Sequence, residues 1–121
     1  MKKERFVIKC RPHCPIAHAT VEGYTFCLGG FRWGFTRQNY LGKDCGRWYS
    51  VELTTGYTAQ QATFKTLKSA VLAMRDDLAN ERYRNFLRDF LKDCTDCNPG
   101  LTPRYTVWGV MTYGEVVQDL S

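Results

Sequence analysis

The chain has 121 residues, a net charge of +5, 44% hydrophobic residues and 24% charged residues, values that predict one folded domain over residues 1–121 and exclude a disordered chain. The positive charge excludes an acidic mimic of DNA, and its concentration in residues 1–50 indicates an anionic partner, either nucleic acid or an acidic protein surface. No apolar run reaches the roughly 18 residues of a membrane helix or resembles a signal sequence, so we expect no membrane contact and a cytoplasmic location.

The first half of the chain has the pattern of an antiparallel sheet. Gly29 and Gly30 separate two aromatic segments, as in a tight hairpin, because glycine reaches the positive φ angles of such turns. Five segments have the composition or alternation of strands, the last as a short edge strand: 5–9, 24–28, 31–36, 47–53 and 57–62.

The second half of the chain changes to helical spacing. From Thr66, the predicted N-cap, apolar residues recur at helical intervals as far as Asp93, as one long helix or as two that break near Asn80. Residues 104–113 form a final strand, apolar on both faces and therefore expected to be central or covered. The predicted fold is α+β: about four to five antiparallel strands packed against a long helix or helical hairpin, stapled by a structural zinc ion.

Six cysteines in an intracellular chain of this size indicate metal binding more than disulfides. Cys94 and Cys97 form a C-x2-C knuckle, a spacing that lets two thiolates converge on one ion. Cys10 and Cys14 would complete a tetrahedral zinc site, with His13 as an alternative ligand. Inert buried thiols and redox chemistry are the competing interpretations.

The chain has no metalloprotease, P-loop, dinucleotide-binding or zinc-deaminase motif, which favours a binding protein over an enzyme. Basic residues interleaved with aromatics can pair with phosphates or contact a protein partner. Four such residues are the predicted partner contacts: Arg32, Arg37, Lys43 and Arg47. A second basic row alternates with acids and is expected to be a solvated helix face: Arg75, Arg82 and Arg88.

Residues 48–56 and 63–71 are similar to the strand–turn–strand and helix opening of small phage and mobile-element proteins, whose three-strand and helix arrangement also occurs in integrase arm-binding domains. In its small size, basic charge and cysteine content, the chain resembles phage-encoded anti-CRISPR proteins. That resemblance implies a stoichiometric inhibitor that binds a Cas9-type nuclease or its guide complex and blocks target DNA loading or cleavage. The alternatives are a direct nucleic-acid-binding module and a small zinc or thiol enzyme.

Overall fold

A computed structural model describes residues 2–9, 18–40, 43–58 and 63–107. These residues form an α+β fold, as the sequence predicts. The elements in chain order are β1 Glu4–Lys9, β2 His18–Leu28, β3 Phe31–Tyr40, β4 Lys43–Glu52, α1 Leu67–Leu78, α2 Glu81–Leu91 and β5 Tyr105–Val107. Strands β1 to β4 pair in sequence order as an antiparallel meander, and β5 pairs in parallel with β2.

The turn between β2 and β3 is the hairpin that the sequence predicts. Gly29 and Gly30 have φ angles of 64° and 83°, the left-handed pair that matches the twist of antiparallel strands. At a third position, Gly34 in β3, glycine is required because there is no room for a side chain. A Cβ atom there would lie 2.6 Å from the Phe6 ring, so only glycine lets this ring lie across β3.

Each face of the sheet has its own apolar core. The larger core lies between the sheet and the helices and contains Phe26, Leu28, Phe31, Trp33, Phe35, Trp48, Ala70, Val71, Met74, Leu78 and Leu87. The smaller core lies on the opposite face and contains Phe6, Val51 and Leu53, with Ile8, Val21, Tyr49 and Leu101 packed against it. Strands buried on both faces explain why this sequence carries so many aromatic residues in its first half.

The helical region is a hairpin of two helices. Thr66 caps α1, and its hydroxyl oxygen accepts a hydrogen bond from the Ser69 amide at 3.0 Å. Asn80 caps α2 in the same way, accepting from the Arg82 amide at 2.9 Å. The sequence is compatible with one long helix or with two helices that break near Asn80. The structure has two helices, because Asn80 has an extended backbone and serves as the N-cap of the second.

The sheet curls until the outer edge of β1 meets the turn after β4. Asn98 joins the two: its side-chain oxygen accepts from the Val7 amide at 2.7 Å, and its amide nitrogen donates to the carbonyl oxygens of Val7 and Leu53 at 3.0 and 2.8 Å. The Lys9 amide also donates to the Gly56 carbonyl at 2.9 Å. One buried side chain thus serves as the hydrogen-bonding partner that an edge strand otherwise lacks.

Two predicted segments are described only in part. The predicted edge strand 57–62 contributes a bridge between Thr58 and Val51, and residues 59–62 lie outside the described residues. The predicted final strand 104–113 is seen as β5, and residues 108–113 lie outside them as well. β1 pairs with residues 18–23 of β2, and β5 pairs with residues 26–28.

Candidate anion-binding site

The four predicted zinc ligands divide between described and undescribed parts of the chain. Cys10, Cys14 and the alternative ligand His13 lie outside the described residues. The Cys94 thiol contacts the Phe90 carbonyl oxygen at 3.0 Å, at the end of α2. In residues 2–9, 18–40, 43–58 and 63–107 there is no group of three or more metal-ligating side chains, so the zinc site remains a prediction.

Cys97 follows the helical hairpin and lies between β1 and the turn after β4. Its amide donates to the Thr54 carbonyl at 2.9 Å, and its thiol contacts the carbonyl oxygens of Leu53 and Val7 at 3.4 and 3.9 Å. Burial raises the pKa of this thiol above its ordinary value, which favours the protonated form. Hydrogen bonds from Cys97 and Asn98 therefore join β1, the turn after β4 and the segment after α2.

Arg32, a predicted partner contact, is engaged inside the molecule. Its guanidinium donates to the carbonyl oxygens of Asn98 and Leu101 at 3.1 and 2.9 Å and pairs with Asp96 at 2.7 Å. Its side chain is only 22% exposed. Arg32 thus joins β3 to residues 96–101, because one planar guanidinium can donate to several acceptors at once.

Arg37 is the second predicted contact, and it remains partly open to solvent. Its Nε atom lies 2.8 Å from an Asp44 oxygen, and its guanidinium lies over the Trp48 ring at 5.6 Å from the ring centre. A hydrogen bond from the Gly46 amide, and then Arg37 itself, lower the pKa of Asp44. Asp44 is therefore a stable carboxylate that neutralises Arg37.

The remaining two predicted contacts lie at β4. Arg47 donates to the Thr63 hydroxyl at 2.6 Å and to the Thr63 carbonyl at 2.7 Å, which joins β4 to the segment before α1. Lys43 is the first residue of β4, and its side chain lies outside the described part of the structure. The three described arginines of the predicted contact set thus each have partners within the chain.

A cavity of about 330 Å³ opens between the β2–β3 turn and the helical hairpin. Leu78 of α1 packs against the turn, with its Cδ1 atom 3.0 Å from the place where a Cβ atom of Gly29 would lie. The cavity is lined by Leu28, Gly29, Gly30, Arg75, Leu78, Arg84 and Arg88. We call it the arginine pocket, because its three charged residues are all arginines.

The charges of the arginine pocket are only partly neutralised. Arg75 pairs with Asp76 at 2.6 Å. Arg84 donates from Nη1 to the Leu78 carbonyl oxygen at 2.5 Å, and Arg88 donates from Nη1 to the Asn85 side-chain oxygen at 3.0 Å. Both of these acceptors are neutral, and no carboxylate in the described chain forms an ion pair with Arg84 or Arg88. The pocket therefore has the charge and the donors to hold an anion.

The arginine pocket was missed by sequence reasoning, which expected a solvated face for Arg75 and Arg88. Arg84 and Arg88 are four residues apart and so share one flank of α2. Arg75 reaches the same cavity because α1 and α2 form a hairpin beside the glycine turn. The four-residue spacing was a visible signal, whereas the approach of Arg75 depends on tertiary structure.

A second cavity, of about 360 Å³, lies on the sheet and has a different electrostatic character. It is lined by Lys3, Thr20, Val21, Glu22, Thr36, Arg37, Asp44 and Trp48. Two cationic and two anionic side chains balance there, so the cavity has no excess charge to attract an ion. The arginine pocket is therefore the stronger candidate for a binding site.

Comparison with protein-family models, with curated proteins and with solved structures finds no match to this chain. None of the helices in the described ranges is both long enough and apolar enough to cross a membrane.

Proposed function

We propose that the chain is a non-enzymatic binding protein that holds a phosphate group of a nucleic acid in the arginine pocket. The single observation that carries this proposal is the convergence of Arg75, Arg84 and Arg88 on one open cavity, two of them without an acidic partner in the described chain. Guanidinium groups match phosphate oxygens with paired hydrogen bonds, so arginine is the usual residue for phosphate recognition.

The chemistry of the pocket favours a phosphate of a larger molecule over a free metabolite. Its walls offer arginines, two small glycines and the apolar side chains of Leu28 and Leu78, and no catalytic group. The cavity opens to the surface, so a polyanion can place one phosphate group in it while the rest of the molecule stays outside. The net charge of +5 supplies the long-range attraction that such a partner needs.

The test is binding of fluorescently labelled single-stranded DNA, duplex DNA and RNA, measured by anisotropy over a series of salt concentrations. Arg88→Ala should weaken binding to these nucleic acids and reduce the salt slope by about one unit, since one phosphate contact is lost. Arg5→Ala is the matched control, because it removes the same charge at a site away from the arginine pocket. Arg5 lies on β1 and pairs with Glu22 of β2, which is seven residues before Gly29 of the glycine turn. Equal weakening by both variants would reduce the effect to net charge and contradict the pocket.

Inhibition of a Cas9-type nuclease, the function implied by the resemblance to anti-CRISPR proteins, is a separate candidate that would use the same pocket. A guide complex presents exposed RNA phosphates, which suit the arginine pocket as well as free nucleic acid does. The protein should then block target cleavage by a Cas9–guide complex at stoichiometric concentration, and Arg84→Ala with Arg88→Ala should relieve the block. Tight binding to free DNA without any effect on such a nuclease would favour the direct nucleic-acid-binding module instead.

The zinc staple is a separate proposal, with Cys94, Cys97, Cys10 and Cys14 as ligands and His13 as the alternative to a cysteine. Its support is the position of Cys97, whose thiol lies 3.9 Å from the carbonyl oxygen of Val7 in β1, three residues before Cys10 in the sequence. Such an ion would hold β1 to the end of the helical hairpin and would take no part in catalysis.

A further inference from the structure

The outer flank of α2 carries two aromatic rings that the described chain does not cover. Phe86 and Phe90 are 61% and 48% exposed, and their rings stack on one another with centres 6.0 Å apart. The core side of the same helix is occupied by Leu87, which is buried. Large exposed aromatic side chains are unusual on the surface of a monomer and are typical of contact sites.

A basic residue lies at one end of this aromatic pair, and two acidic residues lie toward the other end. Arg82 precedes Phe86 by four residues, so Arg82, Phe86 and Phe90 form one row along the helix. Asp89, three residues after Phe86, lies on α2, and Asp93 lies in the turn two residues after the helix ends at Leu91. None of these three charged side chains forms an ion pair with a described residue. The two carboxylates also stand near the negative end of the helix dipole, where an external cation would stabilise them.

We infer that this row is a self-complementary surface that pairs α2 with α2 of a second copy of the chain in antiparallel orientation. A two-fold axis near the middle of the helix would set Phe86 against Phe90 of the second copy. The same axis would place Arg82 opposite position 94 of the second copy, one residue from Asp93. By symmetry, Asp93 of the first copy would lie close to Arg82 of the second. Each cation thereby gains an acid and each ring gains an apolar neighbour, as a two-fold interface requires.

The arrangement makes a charge-swap experiment decisive. Arg82→Asp and Asp93→Arg should each raise the dimer dissociation constant at least about tenfold, since each change acts twice in a two-fold dimer. The double variant Arg82→Asp with Asp93→Arg should restore wild-type affinity. Neither change harms the isolated helix, because an acid near its N-terminus and a base near its C-terminus both suit the helix dipole. Dissociation constants come from sedimentation equilibrium over a wide range of protein concentrations.

The controls separate pairing from net charge and from folding. Lys65→Asp makes the same charge change as Arg82→Asp at an exposed residue before α1 and should leave the dimer intact. Phe86→Ser should abolish the dimer and leave the thermal midpoint of the diluted monomer unchanged. A wild-type protein that stays monomeric, a double variant that fails to recover, or a large fall in monomer stability in Phe86→Ser would each overturn the inference. None of these variants alters the arginine pocket, so failure here leaves the nucleic-acid proposal to its own test.

Discussion

Replacing Asn98 with alanine should lower the free energy of unfolding by several kcal/mol, on the order of 3–5 kcal/mol. The side chain is 7% exposed and satisfies three backbone groups: the Val7 amide, the Val7 carbonyl and the Leu53 carbonyl. Alanine leaves all three without their partner at the place where the sheet closes. An unsatisfied buried polar group costs about 1–3 kcal/mol, and partial access to water lowers the sum, so we expect a loss of about 3–5 kcal/mol.

The assay is urea unfolding at equilibrium, which gives the free energy of unfolding for wild type and Asn98→Ala under the same conditions. Thr102→Ala is the matched control, because Thr102 is exposed and lies in the same segment. Hydrogen exchange adds a local readout, since the Val7 amide should lose its protection in Asn98→Ala. A change of less than about 0.5 kcal/mol, within the range of ordinary surface substitutions, would refute the role assigned to Asn98.

Three further predictions concern the cysteines and the glycine under the Phe6 ring. Elemental analysis of the purified protein should find about one zinc per chain, and Cys94→Ser or Cys97→Ser should remove it; a metal-free protein would contradict the zinc proposal. In protein freed of metal with a chelator, burial raises the pKa of Cys97, so its contribution to stability is complete below the ordinary thiol pKa and is lost as the pH rises through the folded-state value. Cys97→Ser should abolish this loss in urea titrations of the metal-free protein at several pH values. Gly34→Ala should lower the free energy of unfolding by about 1–3 kcal/mol through its clash with the ring, whereas the same change at Gly30, where the Cβ site is empty, should cost only the strain of its positive φ.

The features that the sequence predicts correctly are those that short stretches of chain determine. The hairpin follows from Gly29 and Gly30, because two adjacent glycines meet the φ requirement of the turn without help from the rest of the molecule. The start of α1 follows from Thr66, whose hydroxyl group caps the next turn. The break at Asn80 was one of two open alternatives, since only the packing of α1 against α2 distinguishes a capped second helix from a continuous one.

The features that the sequence does not predict join residues that are far apart in the chain. Asn98 contacts Val7, 91 residues earlier, and nothing near Asn98 in the sequence indicates that its amide completes a strand edge. In the sequence, Arg32 lies between aromatic residues, a pattern that is typical of a surface arginine on a strand. In the structure, its guanidinium instead binds acceptors in residues 96–101. The arginine pocket likewise exists only once the glycine turn and both helices are assembled.

The surroundings of Cys97 show how two predicted roles for one residue can compete. As a thiol, its sulfur can donate toward the Leu53 carbonyl oxygen at 3.4 Å, and the Asn98 amide nitrogen lies 3.3 Å from the same sulfur. As a thiolate, it would keep the favourable contact with that amide but would face the oxygens of Leu53 and Val7, which repel negative charge. A metal ligand must be deprotonated, so zinc binding at Cys97 requires the sulfur to leave these carbonyl groups. Metal binding and the closure of the sheet by Asn98 are therefore coupled through one sulfur atom.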